Sequence, residues 1–129
     1  MGTFKKLEDI LAWQKARHFC QELKKIFPLF IQAKEFDLMN QLKSPAGSAM
    51  DNIAEGFGRM GNNEFKNFLT ISHGSIMESK SQLYRSHDWG VITGEQFEYY
   101  KGLAEEAERL IFSLINYLIQ SEHKGVKFK

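Results

Sequence analysis

The residues best suited to chemistry lie in one polar stretch, "DNIAEGFGRMGNNEF", at positions 51–65. This stretch holds the amide of Asn52, the carboxylate of Glu55 and the guanidinium of Arg59. Two carboxylates can serve as general acid and general base when a dry pocket raises the pKa of one of them. Glu78, further along the chain, could be the second member of such a pair with Glu55. An enzyme built on these two groups is therefore one hypothesis to test, and it ranks third after the two that are given below.

Metal chemistry requires ligand spacings that this sequence lacks. Carboxylate-bridged di-metal centres in helical bundles use Glu-x-x-His on two helices, with one Glu from each of the others. No glutamate stands three positions before any of the four histidines. The residues at those positions, with their histidines, are Lys15 and His18, Thr70 and His73, Tyr84 and His87, and Gln120 and His123. A zinc site would need more soft ligands than Cys20 alone provides, so we expect no metal and no cofactor.

Nucleophilic catalysis and phosphate binding also lack their motifs. Ser75 follows Gly74 in "HGSIMES", but a nucleophile elbow needs Gly-x-Ser-x-Gly at a strand-to-helix turn, and this segment has helical periodicity. "GFGRMG" lacks the Gly-Lys-Ser/Thr of a phosphate loop and follows a helix rather than a strand. Gly56 and Gly58 instead match glycines that end a helix in the left-handed conformation. The sequence thus predicts no catalytic residue, no small-molecule substrate and a tight turn between two helices.

Four helical segments account for most of the chain, because apolar residues recur at spacings of three and four. We place these helices at about 7–27, 36–57, 63–88 and 93–121. No stretch alternates apolar and polar residues for long, so strands are not expected. Short connections near 58–62 and 89–92 predict an all-α, antiparallel up-down-up-down four-helix bundle. The bundle forms a single domain over residues 1–129, with a frayed basic tail at about 122–129.

The two prolines affect the first and second helices. Pro28 should end or bend the first helix, because proline disfavours helical geometry in the residue before it. Pro45 falls inside the second helix, where it removes one backbone hydrogen bond. This helix is therefore either kinked near 41–44 or begins later than its periodicity indicates. We favour the kink, since the apolar positions keep helical spacing on both sides of Pro45.

Two patterns mark the starts of the third and fourth helices. Asn62 or Asn63 can cap the third helix, with a side-chain oxygen that accepts a hydrogen bond from an unpaired backbone N–H. Thr93 is followed three residues later by Gln96, which is the spacing of a capping box. We therefore expect side-chain caps at both helix starts.

Polar residues line up on one face of the second helix and on one face of the third. Their spacings are seven, four, three and four on the second helix, and three and four on the third. Antiparallel neighbours could bring the two rows together in a polar seam. The seam residues are Gln41, Ser48, Asn52, Glu55, Arg59, Ser75, Glu78 and Gln82. Three interpretations stay open: buried, hydrogen-bonded rows that fix register and partner choice, a solvated face, or a catalytic or metal site.

Composition and charge indicate an ordinary globular domain. Hydrophobic residues make up 43% of the 129 residues, and the net charge of +1 gives no strong overall field for nucleic acid or an anionic membrane. A single cysteine cannot form an intrachain disulfide and fits the reducing cytoplasm. The longest apolar run, 110–119, is half the roughly 20 residues that span a bilayer. No signal peptide is evident, and we expect no membrane association.

Several short motifs occur in a specific order along the chain: "LAWQKA" at 11–16, "NIAEGFGR" at 52–59, "EFKNFL" at 64–69 and "GSIMES" at 74–79. With this pattern the chain resembles the 23S rRNA intervening-sequence proteins, and the resemblance extends from about residue 4 to residue 119. It implies an antiparallel four-helix bundle that assembles as a ring, typically a homopentamer. It also implies a bacterial, ribosome-associated protein, since some members are encoded within insertions in 23S rRNA genes. No enzymatic activity is implied.

Self-association is the leading functional hypothesis, and the chain itself is the expected partner. The sequence has more aromatic residues than one small bundle core need bury, and surplus aromatics favour interfaces. The candidate interface aromatics are Phe57, Phe65, Phe68, Trp89, Phe97, Tyr99 and Tyr100. The alternative for each of them is packing in the core or at the end of the bundle.

Nucleic-acid binding is the second hypothesis. A related branch of the resembled family serves diversity-generating retroelements, where it associates with a reverse transcriptase and RNA. The candidate contacts are Lys15, Arg17, Lys24, Lys25, Lys43, Arg59, Lys66 and the lysines of the tail. The alternative for each of these residues is a solvated surface charge, although a ring of subunits could gather several of them into one binding surface.

Overall fold

The computed structural model describes the backbone of residues 4–123 and the side chains of residues 4–121. Its helices are α1 (Leu11–Leu23), α2 (Phe27–Gln32), α3 (Phe36–Gly58), α4 (Asn62–Asp88) and α5 (Gly94–His123). Two 3-10 turns, Leu7–Asp9 and Lys24–Ile26, precede α1 and α2. Across 4–123 the structure has no strand, so the fold is all-helical, as predicted. The tail residues 124–129 and the side chains from 122 onward lie outside the described part, and so does the predicted fraying.

One continuous apolar core joins the helices. Phe19, Phe30, Ile53, Leu69 and Ile111, one from each helix, are all fully buried. Burying one such side chain stabilises the folded state by about 1.5–3 kcal/mol relative to leaving it exposed. The amphipathic spacing of each helix therefore supplies the driving force for the bundle.

Each long helix packs against two others, which gives a four-helix arrangement. α3 packs on α4, α4 on α5, and α1 contacts both α5 and α3. Following α3 from Gln41 to Ala49, the hydrogen-bonded partners on α4 run back from Arg85 to Ser72. These hydrogen bonds, with the contact between Ser48 and Ser75, place part of the polar seam along the contact between α3 and α4.

Pro28 does not end the first helical segment. Phe27, the residue before it, has φ −56° and ψ −37°, so the helical geometry that we expected it to lose is retained. Pro28 lies in the first turn of α2, where its missing N–H would have no helical acceptor. The regular helix is interrupted earlier, by the 3-10 turn Lys24–Ile26, and α2 then continues past the predicted end at residue 27 to Gln32.

The second predicted helix, α3, is continuous through Pro45. The alternative of a later start is wrong, because α3 begins at Phe36. Residues 41–44, where a kink was expected, are helical without interruption. Pro45 is buried, so its ring contributes apolar packing to the face that α3 turns toward the core. This packing offsets part of the roughly 3 kcal/mol that a proline costs inside a helix.

The start of α4 differs from its prediction, whereas the start of α5 agrees. Gly61 is the N-cap residue of α4, and no side chain caps the helix, so the expected caps by Asn62 or Asn63 are wrong. Asn62 is instead the first helical residue, and its Oδ1 is buried without a hydrogen-bond partner. At α5, the N–H of Gln96 donates to Thr93 Oγ1 (3.1 Å), and the N–H of Thr93 donates to Gln96 Oε1 (2.9 Å). The capping box is confirmed.

The glycines at the end of α3 do not act as left-handed caps. Gly56 and Gly58 both lie within α3, and among the described residues near this turn the left-handed φ belongs to Met60, at 65°. A Cβ built on Gly56 would lie 2.6 Å from the Cβ of Phe68. Gly56 is therefore needed for the close approach of α4 to α3 rather than for ending the helix.

None of the described helices is long and apolar enough to cross a membrane.

Candidate functional site

The middle of the polar seam joins α3 to α4. Three half-buried residues form a hydrogen-bonded group here. Two of them are Ser48 and Ser75, whose hydroxyl oxygens lie 3.0 Å apart. The third is Asn52, whose Nδ2 donates to the carbonyl oxygen of Ser48 (2.8 Å) and to its Oγ (3.0 Å). The structure thus brings three of the predicted seam residues together in a small hydrogen-bonded group.

Near the α4–α5 turn, Arg85 connects two further seam residues. Its Nη1 donates to Gln41 Oε1 on α3 (3.0 Å) and to Gln82 Oε1 on α4 (2.9 Å). Its guanidinium also lies 4.7 Å from the centre of the Trp89 ring. Sequence reasoning missed Arg85, although its position three residues after Gln82 could have indicated the contact.

At the α3–α4 turn, Glu55 and Arg59 form an ion pair one helical turn apart. Arg59 Nε donates to Glu55 Oε2 at 2.8 Å, and Arg59 Nη1 lies 3.9 Å from Glu64 Oε2. The hydrogen bond to Glu55 raises the pKa of Arg59. Both side chains of the Glu55 pair are about half exposed, so solvent screens the pair and its contribution to stability is small. The guanidinium also lies over the ring of Phe68.

Glu78 is the one seam residue without a hydrogen bond or ion pair to another described side chain. It lies on the exposed side of α4, one turn from Ser75. Glu55 is engaged by Arg59 at the surface and Glu78 is exposed, so neither carboxylate lies in a dry pocket. The hypothesis of a catalytic pair formed by Glu55 and Glu78 therefore gains no support from the geometry.

Three buried serines of α4 extend the seam toward the core, and sequence reasoning missed two of them, Ser79 and Ser86. Ser72, Ser79 and Ser86 are spaced by seven and are fully buried. Their hydroxyls donate to backbone carbonyl oxygens: Ser72 to Ala49 across the interface (2.6 Å), and Ser79 and Ser86 to the fourth residue before each on α4 (3.0 and 2.7 Å). The repeat of seven could have indicated this buried face.

Ion pairs join α5 to its two neighbours. Lys80 Nζ lies 2.8 Å from Glu105 Oε2, and His73 Nε2 lies 3.1 Å from Glu108 Oε2. The hydrogen bond from Lys80 lowers the pKa of Glu105. On the other side of α5, the contact of Lys15 with Glu106 is longer, at 3.7 Å. Glu105, Glu106 and Glu108 of α5 thus each contact a nitrogen-bearing side chain of a neighbouring helix.

Glu22 organises the contact between the end of α1 and the start of α5. Its carboxylate accepts a hydrogen bond from the Tyr99 hydroxyl (2.8 Å) and pairs with Lys25 Nζ (2.8 Å). The hydrogen bonds from Lys25 and then Tyr99 lower the pKa of Glu22. The Tyr100 hydroxyl donates to the backbone carbonyl of the same residue at 3.0 Å. This group holds the two helices together and does not resemble a catalytic arrangement.

Within residues 4–121, Cys20 and the histidines form no metal-binding cluster. The Cys20 thiol donates to the carbonyl oxygen of Ala46 (3.3 Å), and burial raises its pKa to about 11. The thiolate, which is the reactive form, is therefore scarce at neutral pH. Among the described residues, no group of three or more His, Cys, Asp or Glu side chains is arranged to hold a metal ion.

An apolar cavity of about 370 Å³ lies beside the α3–α4 turn. Its walls include the rings of Phe4, Phe57 and Phe65 and the side chain of Met60, and Lys5 is the single charged residue among its described lining. A cavity with one cation and no acid lacks the pair of groups that general acid–base chemistry uses.

The predicted nucleic-acid contacts are distributed over α1, α3, α4 and the turn Lys24–Ile26. Lys24 and Lys43 are exposed, and Arg17 lies over the Trp13 ring at 5.7 Å. Lys15, Lys25 and Arg59 pair with glutamates, as described above, and Lys66 is half-buried with a contact of its own. The tail lysines lie outside the described residues. The structure does not gather these cations around one cleft of the single chain.

The candidate interface aromatics divide between core and surface. Phe65, Phe97 and Tyr100 are buried in the core, so for these three the alternative to an interface, packing within the bundle, is the correct one. Phe57 and Phe68 are half-buried. Trp89 and Tyr99 are 54% and 49% exposed, so of the predicted set these two present the largest aromatic surface to solvent.

Known proteins share both the sequence pattern and this fold. A crystal structure of a protein of unknown function from the S23 ribosomal protein family of Bacteroides thetaiotaomicron superposes with a TM-score of 0.77. The two chains are 24% identical over 81% of this chain and 98% of the other, which shows a common fold. No curated protein matches the sequence. The profile of the 23S rRNA-intervening sequence proteins matches residues 8–113. The chain therefore belongs to the 23S rRNA-intervening sequence protein family.

Proposed function

We propose that this protein is a non-enzymatic, self-assembling scaffold: an antiparallel up-down-up-down four-helix bundle that functions as a homo-oligomer. The proposed oligomer is a pentameric ring located in the cytoplasm. The bundle provides surfaces for helix-to-helix contacts between copies and carries out no bond-making chemistry. Its polar seam fixes how α3 and α4 align, through the hydrogen bonds of Ser48, Asn52 and Ser75.

The observation that carries this proposal is the amount of large apolar side chain left on the surface. Eleven such side chains are more than two-fifths exposed in the described part of the chain. They are Leu11, Ile31, Phe36, Met60, Ile71, Met77, Tyr84, Trp89, Tyr99, Phe112 and Tyr117. Single exposed apolar residues are common, but a chain this small gains by covering several of them against another copy.

Light scattering on the full chain at micromolar concentration tests the proposal. We expect a mass several times the 15.0 kDa of one chain, and about five times that mass for the pentamer. A monomer at these concentrations would contradict self-assembly. A stable oligomer of another size would contradict the pentamer alone.

A second candidate function is nucleic-acid binding, supported by the surface of the first helical segment. Between residues 11 and 34 no aspartate or glutamate is exposed. The exposed ionisable side chains there are Arg17, His18, Lys24, Lys25 and Lys34. A ring would repeat this basic face once per subunit, and the weak phosphate contacts of each copy would then add up. Association with RNA or with a reverse transcriptase is part of this second proposal.

Salt dependence tests the second candidate. If phosphate contacts drive binding, the affinity for a single-stranded RNA should fall steeply between low and moderate salt, and the double variant Arg17→Glu with Lys24→Glu should flatten that dependence. RNA binding that is indifferent both to salt and to this variant would contradict a phosphate-driven mode.

A further inference from the structure

The exposed side of α4 carries a ridge formed by Ile71 and Glu78, called the α4 ridge below. The two residues are seven apart, about 10 Å along the helix, and lie on one face. Ser75, between them, contacts Ser48, which places the ridge along the edge of α4 next to α3. Ile71 is 51% exposed, and Glu78 has no ion pair with another described residue. The ridge thus combines an uncovered apolar side chain with an uncompensated carboxylate.

A complementary surface lies between α1 and α5. Two adjoining cavities of about 270 and 340 Å³ open there and share Leu11, Leu110 and Ser113, and Arg109 is on the rim of the second. We call these four residues the α1–α5 socket. Leu11 is 48% exposed, so the floor of the socket is apolar and accessible.

Arg109 supplies an exposed positive charge at this socket, and it also helps to lower the pKa of Glu105, one turn earlier on α5. It is exposed and forms no ion pair with another described residue. The other cation that lines the socket, Lys15, has Glu106 at 3.7 Å. Asp9 also lines one of the cavities, but its carboxylate accepts the backbone N–H groups of Lys5 and Lys6, both at 3.2 Å.

The socket and the ridge lie on opposite edges of the bundle. The α1–α5 edge faces away from the α3–α4 edge, because α1 and α4 share the two neighbours α3 and α5. A contact that joins two different surfaces of identical chains is heterologous, and such contacts close into rings when the rotation between copies allows. An isologous contact could give only a dimer.

Building on the proposed self-assembly, we propose that the α4 ridge of one copy inserts into the α1–α5 socket of a second copy. Ile71 covers Leu11 and Leu110, and Glu78 pairs with Arg109. Glu78 is opposite in charge to Arg109, and neither side chain forms an ion pair with another of the described residues. The same contact repeated around the ring would leave no subunit with an uncovered ridge.

Variants of the ridge and the socket test this contact in the full chain, with sedimentation equilibrium to measure assembly and circular dichroism to verify folding. We expect Ile71→Arg and Glu78→Lys each to raise the concentration of half-dissociation by roughly ten- to a hundredfold, as the loss of a central interface contact typically does. Met77→Arg is the matched control, because Met77 is also an exposed apolar residue of α4 but lies off the ridge. It should leave assembly unchanged.

Reversing the charge of both Glu78 and Arg109 is the more decisive experiment. Arg109→Glu alone should weaken assembly, and combining it with Glu78→Lys should recover most of the loss, because the pair is restored with its signs exchanged. The inference is overturned if the wild-type chain assembles but the ridge variants assemble equally well, or if the double variant recovers nothing. Dissociation on nuclease treatment would also overturn it, by showing that nucleic acid holds the copies together. A monomeric wild-type chain would refute self-assembly itself.

Discussion

Small side chains control how closely α3 and α4 approach each other. A Cβ on Gly56 would meet the Phe68 Cβ at 2.6 Å and the Phe65 carbonyl oxygen at 3.3 Å. Ser72 lies on the backbone of Ala49 in the same interface, with a hydrogen bond of 2.6 Å. At these positions the size of one residue decides whether the helices can keep their separation, because a packed interior yields little to added volume.

Gly56→Ala should therefore destabilise the protein, although alanine is the better helix former. We expect a loss of about 1–3 kcal/mol from overpacking, against a gain of about 1 kcal/mol in helix propensity. Gly47→Ala is the control within α3: nothing lies within 4 Å of its added Cβ, so it should stabilise by about 0.5–1 kcal/mol. Urea unfolding of both variants measures the difference, and equal effects at the two sites would contradict a close contact at Gly56.

At the scale of the elements, the start of each helix depends on how its first N–H groups are paired. α5 has a reciprocal capping box between Thr93 and Gln96, whereas α4 begins at Gly61 with no side-chain cap. Local sequence signals succeeded where the two partners are three residues apart. They failed at Asn62, which lies inside the first turn of α4 and so cannot serve as its cap.

Replacing Thr93 by alanine should lower the free energy of unfolding by about 1 kcal/mol, the usual cost of losing an N-cap side chain. Thr70→Ala is a suitable control, since the Thr70 hydroxyl bonds only the carbonyl one turn earlier, that of Lys66, at an exposed position within α4. Thermal unfolding should show a clear decrease for the Thr93 variant alone. If both variants lose the same stability, the hydroxyl of Thr93 is not acting as a cap.

For the whole molecule, ion pairs and hydrogen bonds connect α5 to α4 and to α1, and two of the carboxylates involved have lowered pKa values. Lys80 lowers the pKa of Glu105, and Lys25 with Tyr99 lowers that of Glu22. A carboxyl group with a lower pKa in the folded than in the unfolded state stabilises the fold above its unfolded pKa. That contribution is lost as the pH falls through the folded pKa.

Stability should accordingly decrease below about pH 4, near the ordinary pKa of a glutamate. Solvent reaches both side chains, with Glu22 16% and Glu105 35% exposed, so the effect of each is small and should weaken further at high salt. Glu105→Gln should flatten the dependence of the unfolding free energy on pH between about pH 5 and 2. An unchanged slope for this variant would show that the Lys80–Glu105 pair does not contribute in solution.

The sequence by itself determined the all-helical class, the approximate span of each long segment, the α5 capping box and the family, because these depend on residues near one another along the chain. Periodicity cannot fix the rotation and offset between neighbouring helices, which depend on how all side chains pack at once. Only the tertiary structure could therefore assign Gly56 to a close contact, connect Gln41 to Gln82 through Arg85, pair the Ser72 hydroxyl with the Ala49 carbonyl, and leave Glu78 facing outward.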